Sequence, residues 1–151
     1  MRLTLYSDYS LRVLIYLGLK GQDISTISEI SDNYNISKEH LRKVVHNLSK
    51  EGYIITSTGR SGGLSLAKPA SEIFVGEVVR KTEEDFRIVE CFDPIQNKCV
   101  IEKDCKLKHV LNSALFSFFN VLDNYTIEDL LAPRQLLSNS LNIKDLNLHK
   151  S

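Results

Sequence analysis

The segment "TISEISDNYNISKEHLRKVVHNLSKEG", residues 26–52, is punctuated so closely that its backbone has few options. Thr26 and Glu29 stand in a capping-box pattern, where the hydroxyl accepts from an early helical amide and the carboxylate reaches back to the cap. The spacing predicts a short helix from Ile27 to Tyr34, with Ile27 and Ile30 facing inward, broken by "NYNIS". Ser37 is a good N-cap for a second helix through Lys50 that buries Leu41, Val44, Val45 and Leu48. Gly52 then stands where a helix-ending glycine belongs. Two short helices joined by a tight polar turn, the second more basic, follow the helix-turn-helix plan, whose second helix enters the major groove of DNA.

The next residues sharpen that plan. "YIITST" has the β-branched content of a strand, "LSLA" can partner it, and "GRSGG" lies between them. A hairpin directly after a recognition helix is a wing. Its glycines allow close approach to a phosphate or groove wall, and Arg60 at the tip can reach a narrow minor groove. The residues expected to contact DNA are Ser37, Lys38, His40, Arg42, Lys43 and His46 of the second helix, with Arg60, Ser61 and Gly62 of the hairpin. The net charge of zero argues against a generic polyanion binder, but residues 1–70 carry +3 and residues 71–151 carry −3. Within 37–50, four Lys/Arg and two His face a single Glu, a local basic stripe of the kind nucleic-acid contact surfaces carry.

Around this module the chain reads as mainly helical. Leu11, Leu14, Ile15 and Leu17 recur at helical spacing after a Ser7-Asp8 start signal. That amphipathic start lacks a signal-peptide cleavage pattern, and no apolar run approaches eighteen residues, so a cytoplasmic protein is expected. Beyond Pro69 a short helix is expected around Val75–Thr82. A long one follows in "KLKHVLNSALFSFFNVLDNYT", with an apolar face of Leu107, Val110, Leu111, Ala114, Leu115, Phe118, Val121, Leu122 and Tyr125. A face that wide beside so small a module suits a partner helix from a second subunit, with packing on the first helix as the intramolecular alternative. "TIED" at 126–129 restarts a short helix after a Thr cap, and the tail beyond Pro133 is patterned weakly enough to fray. No nucleotide loop, Ser/His/Asp constellation or His/Glu hydrolase motif appears, so an enzyme is not expected.

All three cysteines, Cys91, Cys99 and Cys105, fall in "CFDPIQNKCVIEKDC" with x7 and x5 spacing. In a reducing compartment such a group suggests metal rather than a disulfide. The gaps are wider than the pairs of a zinc module and match no C-x-x-C redox motif. Loops of this width suit an iron–sulfur cluster, with Lys98, Lys103, Lys106 and Lys108 offsetting its negative charge. The spacing alone leaves three readings open: inert cysteines, zinc and a cluster.

"LYSDYSLRVLIYL", "SKEHLRKVVHNLSKEGYI", "GRSGGLSLAKP", "VGEVVRKTEEDF", "VECF", the three cysteines and "LDNYT" together resemble one family across residues 1–131. It is the winged-helix repressors whose members regulate iron–sulfur-cluster status, cysteine metabolism and the response to nitric oxide. The likeness is greatest to the nitric-oxide-sensing branch, through Asp8, the cysteine spacing and "LDNYT". Cysteine-metabolism members lack the cluster cysteines, whose presence here argues against that branch. The resemblance implies a homodimeric repressor on a palindromic double-stranded operator, carrying a [4Fe-4S] cluster (or, alternatively, [2Fe-2S]) that responds to nitric oxide. It also implies Cys91, Cys99, Cys105 and Asp8 as ligands, the aspartate coming from the other subunit. An iron-status regulator with His109 as fourth ligand, four residues past Cys105, is the runner-up, and a zinc- or redox-dependent DNA-binding protein is the further alternative. The expected organisation is a winged helix-turn-helix domain at 1–70, a cluster-binding loop and dimerisation helix at 71–131, and a tail at 132–151.

Overall fold

Helix α1 (Leu5–Lys20) starts ahead of its Ser7-Asp8 signal because Thr4 is the cap, its hydroxyl accepting the Ser7 amide at 3.3 Å. Ser7 points inward instead: it is fully buried and its hydroxyl shares a 2.8 Å hydrogen bond with the Thr82 hydroxyl. The computed structural model of the chain describes residues 2–60 and 62–143. The expected contact Ser61 and the last residues of the tail, 144–151, lie outside them.

The two central helices form where the sequence places them. α2 (Ile27–Tyr34) carries the complete Thr26/Glu29 capping box, and α3 (Lys38–Lys50) has Ser37 accepting the His40 amide at 3.2 Å. α2 ends on Asn35 in the left-handed region (φ 53°), and α3 gives way to Gly52 at φ 78°. There the Tyr53 amide returns to the Leu48 carbonyl (2.9 Å) and Gly52 to Ser49 (3.1 Å), the paired bonds that close a helix on glycine. β1 (Ile54–Ser57) and β2 (Gly63–Leu66) pair antiparallel, Ile54 opposite Leu66 and Ser57 opposite Gly63. Ser25, just before α2, bridges to Leu64 on the free side of β2 through bonds of 3.0 and 2.7 Å. The wing is thereby tied to the turn between α1 and α2.

α1 is the centre of the core. Val13, Leu14, Tyr16 and Leu17 are buried against α3, β2, α4 (Val75–Thr82) and α6 (Ile127–Leu130). Val44 and Leu48 from α3, Ile73 before α4, Val78 from α4 and Ile127 from α6 fill the same cluster. Leu131 closes on α1 at Gly18, where a Cβ would stand 3.1 Å from both Leu131 methyls. The phenol of Tyr16 sits within this core between Glu29 (2.8 Å) and Asn33 (2.7 Å) of α2, with Lys20 on the same carboxylate at 3.1 Å.

Two further expectations change. α5 (Lys106–Leu122) stops short of the end of the apolar run because the backbone turns to pair with residues 73–75. The Val75 amide donates to the Tyr125 carbonyl at 2.9 Å and the Ile127 amide to Ile73 at 2.8 Å. The expected fraying of the tail is also corrected for its first part: α7 (Arg134–Ser140) forms, and Leu141 and Ile143 are buried in the main cluster. The buried Ser138 interrupts the apolar repeat that would have revealed this docking. Arg134 donates from Nη2 to the carbonyls of Gly18 and Leu19, 3.0 Å each, capping the C-terminus of α1.

Burial pushes the Glu29 carboxyl up, but hydrogen bonds from Tyr16 and Lys20 outweigh it and hold the group below its ordinary value of 4.5. A carboxyl depressed in the fold stabilises fully above that value and loses its contribution as pH falls through the folded pKa. Glu29→Gln should therefore cost about 1 kcal/mol at pH 7. Urea unfolding should show that deficit shrinking as the pH drops below 4.5.

Candidate functional site

With Leu41, Val44, Val45 and Leu48 turned inward, α3 presents Lys38, His40, Arg42, Lys43 and His46 to solvent. The 3.6-residue period divides them between two grooves. Lys38 and Arg42, four apart, line a cleft shared with the start of α2 and the wing. His40 and Lys43 line another shared with the first turns of α1, where the His40 and Tyr9 ring centroids are 6.2 Å apart. His46 lies exposed one turn beyond Arg42. The Ser37 hydroxyl is committed to capping α3, so any contact it makes with a phosphate is shared with the His40 amide. The cleft beside the wing adds residues that the sequence reading passed over: Thr26, Ser28, Thr56 and Thr58. Their hydroxyls suit phosphate contacts. Their signal in the sequence is the hydroxyls of "TIS" and "TST", where capping and strand content are the stronger local patterns.

The hairpin's glycines have distinct duties. Gly59 holds φ at 102°, where a side chain would strain the turn. A Cβ on Gly62 would come within 2.5 Å of the Ser57 carbonyl oxygen. Gly63, whose amide donates to the Ser57 hydroxyl at 3.1 Å, lies against the 24–25 backbone, where a Cβ would meet Ile24 and stand 2.5 Å from the Ser25 carbonyl oxygen. Arg60 is exposed at the tip.

The cysteines occupy one irregular segment between α4 and α5. Cys91 sits in a 3-10 turn (Glu90–Phe92), Cys99 in the following loop and Cys105 at the N-cap of α5; all three are free and half-buried. The segment is held by polar bonds rather than by apolar packing. Asp93 accepts the Ile95 and Gln96 amides at 2.8 and 3.1 Å and pairs with Arg87, and those two amides with the guanidinium hold its carboxyl below the usual range. Asn97 accepts the Cys99 amide at 3.0 Å and donates to Glu102, which pairs with Lys108. The Glu102 carboxylate raises the Lys108 pKa most, with smaller raising contributions from Cys91 and Cys105.

Asp8 closes the first turn of α1, four residues past the Thr4 cap. It is engaged by Arg12, with Nε to Oδ1 at 3.0 Å and Nη2 to Oδ2 at 2.8 Å. Among the described residues no three His, Cys, Asp or Glu side chains converge as a single ion's ligands would. His109 is exposed in the first turn of α5. The donors nonetheless fit a cluster in kind and number, with three free thiols on one loop and the fourth position left to a residue from elsewhere.

Gly63→Ala should displace the wing from the 24–25 backbone and weaken DNA binding while circular dichroism stays helical. Arg60→Ala should weaken binding by about 1–3 kcal/mol at physiological salt in a gel shift. Arg42→Ala and Lys43→Ala should each lower the salt slope of the logarithm of the binding constant by about one if they neutralise phosphates.

Residues 3–133 match the family model Rrf2, described as iron-dependent transcriptional regulators. The HTH-type transcriptional regulator NsrR of Oceanobacillus iheyensis is 55% identical over 132 residues, covering 87% of this chain and 90% of that protein. The protein of the same name from Bacillus subtilis is 49% identical over 146 residues, covering 96% of this chain and all of the relative. Among solved structures, oxidised CymR of Staphylococcus aureus superposes with a TM-score of 0.69 at 28% identity, over 87% of this chain and 97% of that one. With the family-model match spanning most of its length, the chain belongs to the Rrf2 family of transcriptional regulators.

Proposed function

We propose that this protein is a homodimeric, DNA-binding transcriptional repressor whose grip on its operator is set by an iron–sulfur cluster and released by nitric oxide. The observation that carries the reading is one juxtaposition. A basic helix and wing stand ready for a duplex, and a loop with three free thiols opens a helix that leaves several large apolar side chains exposed. On α5, Leu107, Val110, Phe116 and Val121 are between 58% and 70% exposed, and no residue of the helix is buried. A second copy of α5 buries that face and sets two recognition helices about a two-fold axis. The operator is then palindromic, with half-sites about one helical turn apart. On each half-site α3 enters the major groove, Lys38, Arg42 and Lys43 hold phosphates, and Arg60 reaches the minor groove.

Cys91, Cys99 and Cys105 hold the cluster, taken as [4Fe-4S] with [2Fe-2S] as the alternative, and Asp8 of the second subunit completes its ligation. When bound, the cluster supplies iron with which nitric oxide reacts. A carboxylate is a harder, weaker ligand for such iron than a thiolate, so Asp8 is the contact most easily lost. Arg12 already holds that carboxylate by two nitrogens, which gives a displaced Asp8 a partner on its own helix. The iron-status alternative rests on His109, exposed beside Cys105 on the first turn of α5. A zinc site finds less support, since the x7 and x5 gaps are wider than the ligand pairs of a zinc module.

Visible absorbance of anaerobically purified protein tests the reading directly. Wild type should be straw-brown and bleach on nitric oxide, while colourless protein containing zinc would overturn it. Cys91→Ala, Cys99→Ala and Cys105→Ala should each lose the colour yet remain folded and dimeric by gel filtration. Asp8→Ala should alter cluster circular dichroism and nitric-oxide kinetics. If His109→Ala does so and Asp8→Ala does not, the fourth ligand is His109.

A further inference from the structure

Four consecutive residues at the end of α4 each reach a different part of the molecule. Arg80 donates to both carboxylate oxygens of Asp123, just past α5, at 2.6 and 2.7 Å, with its guanidinium 4.2 Å from the Phe119 ring centroid. Lys81 pairs with Glu51, the C-cap of α3, at 2.7 Å. Thr82, buried, shares its 2.8 Å hydroxyl bond with Ser7 of α1. Glu83 accepts the Thr4 amide at 2.7 Å and the Thr4 hydroxyl at 3.0 Å, gripping the cap of α1. Successive side chains on a helix leave it about 100° apart, so one turn can address neighbours on all sides. The other face of α4 is anchored by Val78 and Val79, both fully buried. Gly76 lets Asp123 come so close that a Cβ would overlap its carboxylate. From Glu83 the chain runs directly to Cys91.

We propose that this turn, Arg80 to Glu83, is the junction through which the cysteine loop and α5 bias the recognition helix. The proposal rests on the cluster-dependent reading above. α3 does not pack extensively against α4 or α5, so the Lys81–Glu51 pair is a direct link from the C-terminal end of α3 to the element that α5 grips. A shift of α5 moves Asp123, Asp123 carries Arg80, and the same rigid turn moves Glu51 through Lys81 and α1 through Thr82 and Glu83. Coupling of this kind is reciprocal, so DNA held by α3 must also steady the cysteine segment. Exposed ion pairs are individually weak, and loss of one changes a coupled affinity by no more than about five-fold.

The test uses full-length protein and a duplex selected by it from a randomised library. Its affinity is compared between the cluster-loaded and metal-free forms. Lys81→Glu should lower the ratio of the two affinities by about two- to five-fold, since the change in net charge affects both forms and cancels. The exchange variant Lys81→Glu/Glu51→Lys, which restores the pair with its charges reversed, should return the ratio to that of wild type. Arg80→Gln, which cuts the link to α5 alone, should lower the ratio as Lys81→Glu does. Independently of any metal, hydrogen exchange in metal-free protein should show duplex binding slowing residues 84–105 in wild type and the exchange variant, but not in Lys81→Glu. A wild-type ratio of one would refute the cluster-dependent reading, while the exchange measurement would still decide the junction. The junction is overturned if Lys81→Glu and Arg80→Gln fold normally and leave both the ratio and the exchange pattern of wild type intact.

Discussion

Helix α1 buries Val13, Leu14 and Tyr16 completely, and α3, β2, α4 and α6 all pack against it. Polar groups on its buried faces have no water to turn to, so each must find a partner within the protein. Ser10 returns its hydroxyl to the Tyr6 carbonyl at 2.8 Å, Ser7 meets Thr82, and the Tyr16 phenol is held between Glu29 and Asn33. These bonds do more than offset desolvation. Each joins α1 to its own previous turn, to α4 or to α2, so the angles at which the DNA-facing helices sit follow from what α1 needs.

α5 has the opposite character. It leaves its apolar side chains open and holds to the rest of the chain through Arg80–Asp123 and the edge contact of Phe86 with Phe119 at 4.6 Å. The cysteine segment beside it is framed by Asp93, Asn97 and Glu102 through backbone amides and cations, with little apolar burial. A tightly satisfied core next to a loosely held arm separates two properties. One half keeps its shape, and the other is available to be reshaped by whatever it binds.

The features most legible in the sequence were those written locally. The capping box at Thr26, the cap at Ser37, Gly52 and the buried stripe of α3 all fall where their spacing placed them, because each depends on residues three or four apart. The strands and the α4 bounds were equally readable. Long-range contacts misled the reading elsewhere. Thr4 rather than Ser7 caps α1 because Ser7 is claimed by Thr82, seventy-five positions away. α5 stops at Leu122 because residues 125 and 127 pair with 73–75, and 134–143 docks although Ser138 breaks its apolar period. Of the candidate site, the exposed face of α3 and the cysteine loop could be read from pattern. The split of that face into two grooves, and the hydroxyls beside the wing, depend on tertiary geometry that no local pattern encodes.

The guanidinium of Arg134 closes the C-terminus of α1 by bonding Gly18 and Leu19, across 116 and 115 positions of chain. Translation makes the first helix early and its last partner very late. A nascent chain emerging from the ribosome therefore carries a first helix whose terminal carbonyls have water for company until the seventh helix appears. By then the cysteine loop and the whole of α5 have been made. Order of synthesis thus ensures that the DNA-facing half receives its final fastening only in a polypeptide that already possesses its thiols and its apolar arm, and a chain cut short before Arg134 lacks that fastening.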